Sequence, residues 1–380
     1  MTIQPDSIPA SLAPPITSAS VPTAPAPDEG SARESGARER MLFLDVFKGA
    51  AILAVVLIHT LSRFLRWTTP TSHTWYVIAI SNRAAQFAVP GFLLISALLN
   101  VGSLLRNPAL SRFFRSRVQS VFWPYLCWSA IFIGFQAWEN PGWFHWSAAG
   151  QMLLRGTAYS HLYFLWALLQ MLVALPLLMP ILRRRPPFWA ALLAALICTA
   201  SFEELNRALV YRVPDLGRSI LDYLPAVFLG LWIGSQPGRS RKILRRGWPA
   251  ALLLTTAGAA IYFPLSIRAD LLHLPVSAAA YQWGWWDYTT AGSFLLLYLA
   301  YRLERAGRIS SGLQYLGRYS LQIYLAHPLV LIGLDQIIRL HRSAGLIGAF
   351  FVYYPCAIVA PLLFARVIER LRISAPLFGR

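Results

Sequence analysis

The sequence predicts an all-α polytopic membrane protein, a bundle of about ten transmembrane helices with both termini in the cytoplasm. Of its 380 residues, 56% are hydrophobic and only 13% are charged, whereas a soluble domain has roughly 25% charged residues. Apolar stretches long enough to cross a bilayer recur along the chain. The basic residues that give the net charge of +18 concentrate in alternate loops. Together these features exclude an ordinary soluble enzyme.

The first 40 residues differ in composition from everything that follows. Residues 1–40 are rich in Pro, Ala and Ser and contain no aromatic residue, so they cannot bury enough apolar surface to fold. They also lack the basic-then-apolar order of a signal peptide. We therefore predict a disordered cytoplasmic tail over 1–40, a membrane domain over 41–366 and a short cytoplasmic tail over 367–380.

Ten apolar segments are candidate transmembrane spans, since a span needs roughly 20 mostly apolar residues. They cover residues 43–65, 78–104, 119–137, 161–182, 188–203, 220–236, 248–266, 285–303, 317–338 and 344–366. Pro90 lies inside the second segment and cannot donate a backbone hydrogen bond, so a kink is predicted there.

The charge distribution orients the bundle. With the N-terminus inside, the inner loops hold most of the Arg and Lys residues, including Arg183 to Arg185 and the cluster from Arg239 to Arg246. This is the positive-inside pattern. The basic excess is therefore mainly topological, and we expect membrane lipids rather than nucleic acid as partners.

The cysteines and histidines do not indicate a metal site or a disulfide framework. Cys127, Cys198 and Cys356 all lie in apolar stretches, and an odd number without paired spacing argues against both. The seven His residues are scattered without a recurring ligand spacing. We expect no bound metal.

Three ionisable residues interrupt the first span. His59 follows Lys48 by 11 residues, so in a helix the two side chains point in directions that differ by about 20°. His59 follows Asp45 by 14 residues, and those two directions differ by about 40°. All three then share one stripe, which should face the bundle interior. Asp45 and Lys48 are spaced to pair, and His59 lies about 16 Å farther along the axis than Lys48. The alternative is that Asp45 and Lys48 anchor the helix at the interface and His59 caps its outer end.

This stripe resembles the first span of the integral-membrane acyltransferase 3 family, in which an Arg precedes a His by the same spacing. Lys48 stands at the Arg position and keeps the charge without the bidentate fork. Further segments resemble the same family in the same order. They are Phe87 to Leu99 with Pro90, Phe92 and Ser96; the basic loop and span with Arg117, Pro124 and Tyr125; the span from His161; and Leu316 to Leu331 with Ser320, Tyr324 and His327.

The resemblance implies transfer of an acyl group, often acetyl, from acyl-CoA to a hydroxyl of a saccharide or glycolipid at the bacterial inner membrane. His59 would then be the general base or an acyl-carrying nucleophile, with Lys48 as a second catalytic residue. Arg112, Arg115 and Arg117 would hold the donor phosphates, unless they only set the topology.

Three further residues are candidates for binding the acceptor, each with a plainer alternative. Arg83 could be a snorkelling anchor, His161 an interfacial residue and His327 a core histidine satisfied by a neighbour. Two other functions remain open. One is export of a polysaccharide or lipid-linked saccharide, and the other is a passive role in a glycan-synthesis complex.

Overall fold

The computed structural model describes residues 29–209, 219–338, 345–372 and 374–379, and no strand occurs among them. The α-helices are α1 (Glu29–Trp67), α2 (His73–Ala84), α3 (Ala88–Arg106), α4 (Leu110–Arg117), α5 (Trp123–Glu139), α6 (Trp146–Arg155), α7 (Tyr163–Arg183), α8 (Phe188–Leu209), α9 (Leu224–Gly234), α10 (Ser240–Ser266), α11 (Ala278–Leu303), α12 (Gly307–Arg318), α13 (Ser320–Gly333), α14 (Gly345–Arg370) and α15 (Ser374–Phe378). Three π-helical turns, Val118–Phe122, Ile267–Leu271 and Leu334–Ile338, extend α4, α10 and α13.

The all-helical membrane fold is confirmed. Within the described ranges, seven helical segments are long and apolar enough to cross a membrane, namely Leu42–Trp67, His73–Arg106, Leu110–Glu139, Tyr163–Arg183, Phe188–Leu205, Ser240–Leu271 and Gly345–Arg370. The other three predicted spans are also helical, and they correspond to α9, α11 and α13. Many side chains of α11 and α13 are buried inside the protein.

The break in the second span lies earlier than the sequence predicted. The kink was expected at Pro90, but α2 ends at Ala84 and α3 begins at Ala88. Pro90 lies in the first turn of α3, where a missing N–H leaves no intrahelical hydrogen bond unmade. The proline therefore starts a new helix instead of bending an existing one.

Two apolar cores hold the helices of residues 41–380 together, and α1 contributes to both. The larger core includes Ile52, Phe64, Phe132, Leu165 and Ile323, from helices α1, α5, α7 and α13. The smaller core joins the first turns of α1 after Leu42 to α3, α9, α10 and α11. The ionisable stripe of α1 therefore passes from one core into the other.

The two ends of the chain are only partly covered by the described residues. Residues 1–28 of the predicted tail lie outside the described residues. Helix α1 begins at Glu29, within the predicted tail of residues 1–40. At the other end, the side chain of Phe378 in α15 is buried. The indole N–H of Trp128 on α5 donates to the carbonyl of Leu377 over 2.9 Å.

Candidate active site

Three histidines from distant parts of the sequence meet inside the larger core. The ring centroids of His59 and His327 are 5.0 Å apart, those of His161 and His327 5.8 Å, and those of His59 and His161 6.4 Å. His59 projects from α1, His161 lies two residues before the start of α7, and His327 lies in the middle of α13. We call His59, His161 and His327 the histidine cluster.

The members of the histidine cluster differ in how deeply they are buried. His161 is 1% exposed and His327 is 0% exposed, whereas His59 is only partly buried. His59 is therefore the least buried ring of the cluster.

Several imidazole nitrogens of the cluster form no hydrogen bond of ordinary geometry with the described residues. Neither ring nitrogen of His161 nor Nε2 of His327 has one of ordinary hydrogen-bond geometry among the described residues. Buried polar atoms are nearly always paired, and each unpaired one costs about 1–3 kcal/mol. These nitrogens are suited to bind a polar group that enters the site.

The hydrogen bond of His327 determines which of its nitrogens can accept a proton. Its Nδ1 lies 2.9 Å from the backbone carbonyl of Ile323, and that carbonyl can only accept. Nδ1 must therefore carry the proton, which leaves the lone pair of a neutral ring on Nε2. The ring thus presents a hydrogen-bond acceptor to the cluster.

Aromatic rings enclose His161 on its other sides. The rings of Phe132 and Tyr159 stack on each other 4.3 Å apart, and both lie edge-on to His161 at 5.1 and 5.6 Å. The hydroxyl of Tyr324 donates to the backbone carbonyl of His161. The start of α7 is thereby fixed to α13, which carries His327.

An ion pair lies one helical turn beyond His59. Arg63 Nη1 is 3.0 Å from Asp335 Oδ2, with the two side chains 12% and 25% exposed. Arg63 is four residues after His59, so both side chains lie on the same face of α1. This pair links the accessible side of the cluster to the π-helical turn after α13.

The other end of the α1 stripe is held by an unusually close helix contact. Lys48 Nζ donates to Asp45 Oδ1 over 3.0 Å, which confirms the predicted pair. A Cβ atom built on Gly317 of α12 would lie 2.0 Å from the carbonyl oxygen of Asp45, and one on Gly49 would lie 2.0 Å from that of Leu313. Only glycine at these two positions lets the backbones of α1 and α12 touch beside Lys48.

The arginines predicted to bind the donor lie on the short helix α4. Arg112 and Arg115 are exposed, while Arg117 is partly buried. The Arg117 guanidinium carbon lies 5.4 Å from the centre of the Phe113 ring, and its Nε has no partner among the described residues. Two of the three arginines on α4, Arg112 and Arg115, are thus exposed, and the third, Arg117, packs against Phe113.

Arg83 is engaged elsewhere. Its Nη2 lies 3.3 Å from Asp270 Oδ2, and the Tyr281 hydroxyl donates to the same oxygen over 3.0 Å. The neighbouring residue Asn82 faces α1 instead, where its Nδ2 donates to the carbonyl of Ile58 over 2.9 Å. The structure therefore places Arg83 between α2, α10 and α11, in a network separate from the histidine cluster.

The family model described as an acyltransferase domain, that of the acyltransferase 3 family, matches residues 41–369. The chain belongs to this family. It is a multi-pass membrane acyltransferase. No curated protein and no solved structure matches the chain significantly.

The acyltransferase domain contains all members of the histidine cluster and the whole of α4. Helix α15 lies beyond the matched region. Within the described ranges of this acyltransferase, no group of three or more His, Cys, Asp or Glu side chains is arranged to hold a metal ion.

Sequence reasoning missed two parts of this acyltransferase site. The pairing of Arg63 with Asp335 was not foreseen, because a basic residue near the end of a span gives no indication of a partner so far along the chain. The enclosure of His161 by Phe132 and Tyr159 was also missed, because nothing local in the sequence joins α5 to α7. The motif around Tyr324 was the available indication, since it places a hydroxyl three residues from His327.

Proposed function

We propose that this chain transfers an acyl group, acetyl in the first instance, from acyl-CoA to a hydroxyl of a cell-surface saccharide or glycolipid at the bacterial inner membrane. The convergence of three imidazoles, with buried nitrogens that form no ordinary hydrogen bond within the described part of the chain, supports this proposal most directly. An imidazole takes and returns a proton near neutral pH. Acyl transfer from a thioester to an alcohol requires such a group.

In the proposed reaction His59 accepts the proton of the acceptor hydroxyl, because it is the least buried member of the cluster. The oxygen attacks the thioester carbonyl, a C–O bond forms and the C–S bond breaks. The leaving thiolate then takes the proton from His59, which regenerates the neutral ring and releases the thiol. His327 and His161 would bind the acceptor and position it against His59.

A covalent route uses the same residues in two steps. His59 attacks the thioester itself, the thiolate leaves with a proton, and the acceptor hydroxyl then attacks the acyl-imidazole. Incubation with radiolabelled acetyl-CoA and no acceptor distinguishes the two routes. Label on the protein that is lost in His59→Ala supports the covalent route, and its absence supports general base catalysis.

We assign the donor phosphates to Arg112, Arg115 and Arg117, since arginine forks suit phosphate oxygens. Lys48 would lie on the donor side of the site, because it is about 16 Å from His59 along α1, towards the start of the helix. Under this assignment both termini are cytoplasmic. Reporter fusions at residues 110 and 145 should then report inside and outside, and the reverse pattern would contradict the assignment.

The decisive experiment compares His59→Ala with His145→Ala, which alters an exposed histidine in a loop. We expect His59→Ala to insert normally and to lose acyl transfer to envelope glycans by about 10²- to 10⁴-fold, the range of a general base. Glycan mass spectrometry and label transfer provide the readout. Normal acylation in His59→Ala would refute the assignment, and lost glycan export with normal acylation would favour the exporter.

A further inference from the structure

A long groove runs along the smaller core, away from the histidine cluster. It lies between α8, α9, α10 and α11 and has a volume of about 1160 Å³, more than the roughly 300–1,000 Å³ of most small-molecule pockets. Along α10 and the residue before it, the lining extends from Arg239 to Ile261. At 1.5 Å per residue this stretch is about 33 Å long, and the part beyond Arg246 is about 22 Å long.

The groove is basic at one end. Arg239, Lys242 and Arg246 line it there, at spacings that place them on one side of α10. Arg241, on the same helix, turns instead towards α11 and the turn that follows it. It pairs with Glu304 over 3.7 Å and lies over the ring of Tyr301.

The acidic residue that lines the groove lies far from these cations. It is Asp287, which adjoins Tyr288, and a Cβ on Gly258 of α10 would meet the Tyr288 backbone nitrogen at 2.5 Å. Asp287 is therefore level with about residue 258, some 18 Å along the helix from Arg246. At that distance the Asp287 carboxylate does not neutralise the cations at the basic end.

Between these ends the groove is hydrocarbon-like. Leu192 and Leu196 of α8 and Leu254 of α10 line it, and each exposes more than two fifths of its surface. Phe294 and Leu229 complete this part of the wall. A lining that combines three cations at one end with an apolar channel matches a phosphate attached to a long hydrocarbon chain.

We infer that this groove binds a long-chain lipid phosphate of the polyisoprenyl type, with its phosphate on Arg239, Lys242 and Arg246 and its chain along α10. Its length decides between lipid classes. A diacyl phospholipid stays within one leaflet, whose hydrocarbon is about 15 Å deep, and would not reach the far end of the roughly 22 Å that lies beyond Arg246. A polyisoprenyl chain can occupy the whole groove.

The test uses the full-length protein in nanodiscs of phosphatidylcholine, titrated with a polyisoprenyl monophosphate and followed by native mass spectrometry. Arg246→Gln should weaken binding about fivefold, as expected for one cation near a membrane surface, and the triple change of Arg239, Lys242 and Arg246 to Gln by about a hundredfold. Arg245→Gln is the matched control, because Arg245 is exposed on the same turn and does not line the groove.

A second pair of variants tests the apolar channel. Ala250→Trp places a large ring in the groove and should weaken binding, while Leu253→Trp, at an exposed position outside the lining, should not. Equal effects of Arg245→Gln and Arg246→Gln, or unchanged binding in the triple variant, would overturn the site. Equal binding of phosphatidylglycerol would overturn the long-chain assignment, and competition by inorganic phosphate alone would overturn the role of the hydrocarbon.

The inference does not depend on the proposed chemistry. His59→Ala should bind the polyisoprenyl phosphate as the unmodified chain does. The lipid assignment of the groove can thus be refuted while the assignment of the active site is supported. The active-site assignment can likewise be refuted while the lipid assignment is supported.

Discussion

The contact between α1 and α12 offers a direct test of how the fold positions the active site. In Gly317→Ala the new methyl group would start 2.0 Å from the Asp45 carbonyl oxygen, whereas ordinary contact begins at 3.4 Å. Both helices meet through backbone atoms, so no side chain can move aside. The helices must separate by more than about 1 Å, and α1 also carries His59.

Two effects should follow from this separation. Overpacking of this kind costs about 1–3 kcal/mol of stability, and misplacement of a catalytic group by about 1 Å can lower the rate about 10²-fold. We therefore expect Gly317→Ala to insert into the membrane, to denature at lower temperature in detergent and to lose most of its acyl transfer. Fluorescence-detected size exclusion after heating measures the first effect, and label transfer from acetyl-CoA the second.

Gly312→Ala is the matched control on the same helix. A Cβ at Gly312 meets nothing within 4 Å, so this change carries only the modest gain in helix propensity that any Gly→Ala change brings. Gly317→Ala must fall clearly below it in both assays. Equal stability and equal activity of the two variants would show that the close approach does not position α1.

Two further predictions concern contacts at the edges of the domain. Asp335→Asn should lower activity by leaving Arg63 without its carboxylate. The double variant Arg63→Asp/Asp335→Arg exchanges the two charges and should be more stable than either single variant by about 1 kcal/mol or more. A double-mutant cycle measured in detergent that shows no coupling energy between the two positions would contradict this. Trp128→Phe keeps an aromatic ring but loses the hydrogen bond to Leu377. We therefore expect the free energy of unfolding to fall by about 1 kcal/mol and the C-terminal residues to be cleaved faster by a protease. A cleavage rate equal to that of the unmodified chain would contradict the docking of α15.

The sequence was sufficient for the helical membrane fold, because hydropathy and length determine which segments can span a bilayer. It was less informative where helices pack against protein instead of lipid. The predicted span 317–338 begins two residues before the break between α12 and α13 at Tyr319, and no hydropathy pattern marks that break. The register of Pro90 was missed for a similar reason, since a proline fits equally well at a kink and in a first helical turn.

The histidine cluster shows the same limit at the level of the site. His59 could be singled out because one helix places it on the stripe of Lys48. Its neighbours His161 and His327 lie more than 100 residues farther along the chain, and their approach depends on how α1, α7 and α13 pack. Helical periodicity contains no information on that packing. From the sequence, His327 could therefore bind the acceptor or be a core residue, and His161 could bind the acceptor or be an interfacial residue.

The unpaired nitrogens of the cluster indicate that histidine serves function and not stability at these positions. A core position surrounded by Phe132, Tyr159 and Tyr324 would be more stable with an apolar ring, because both nitrogens of His161 are buried and form no ordinary hydrogen bond with any residue that the structure describes. We therefore expect His161→Phe to raise or preserve the denaturation temperature and to lower acyl transfer strongly, a trade of stability for function. If His161→Phe instead destabilised the protein while activity per folded molecule stayed normal, the imidazole would be a structural element, and the site would reduce to His59 and His327.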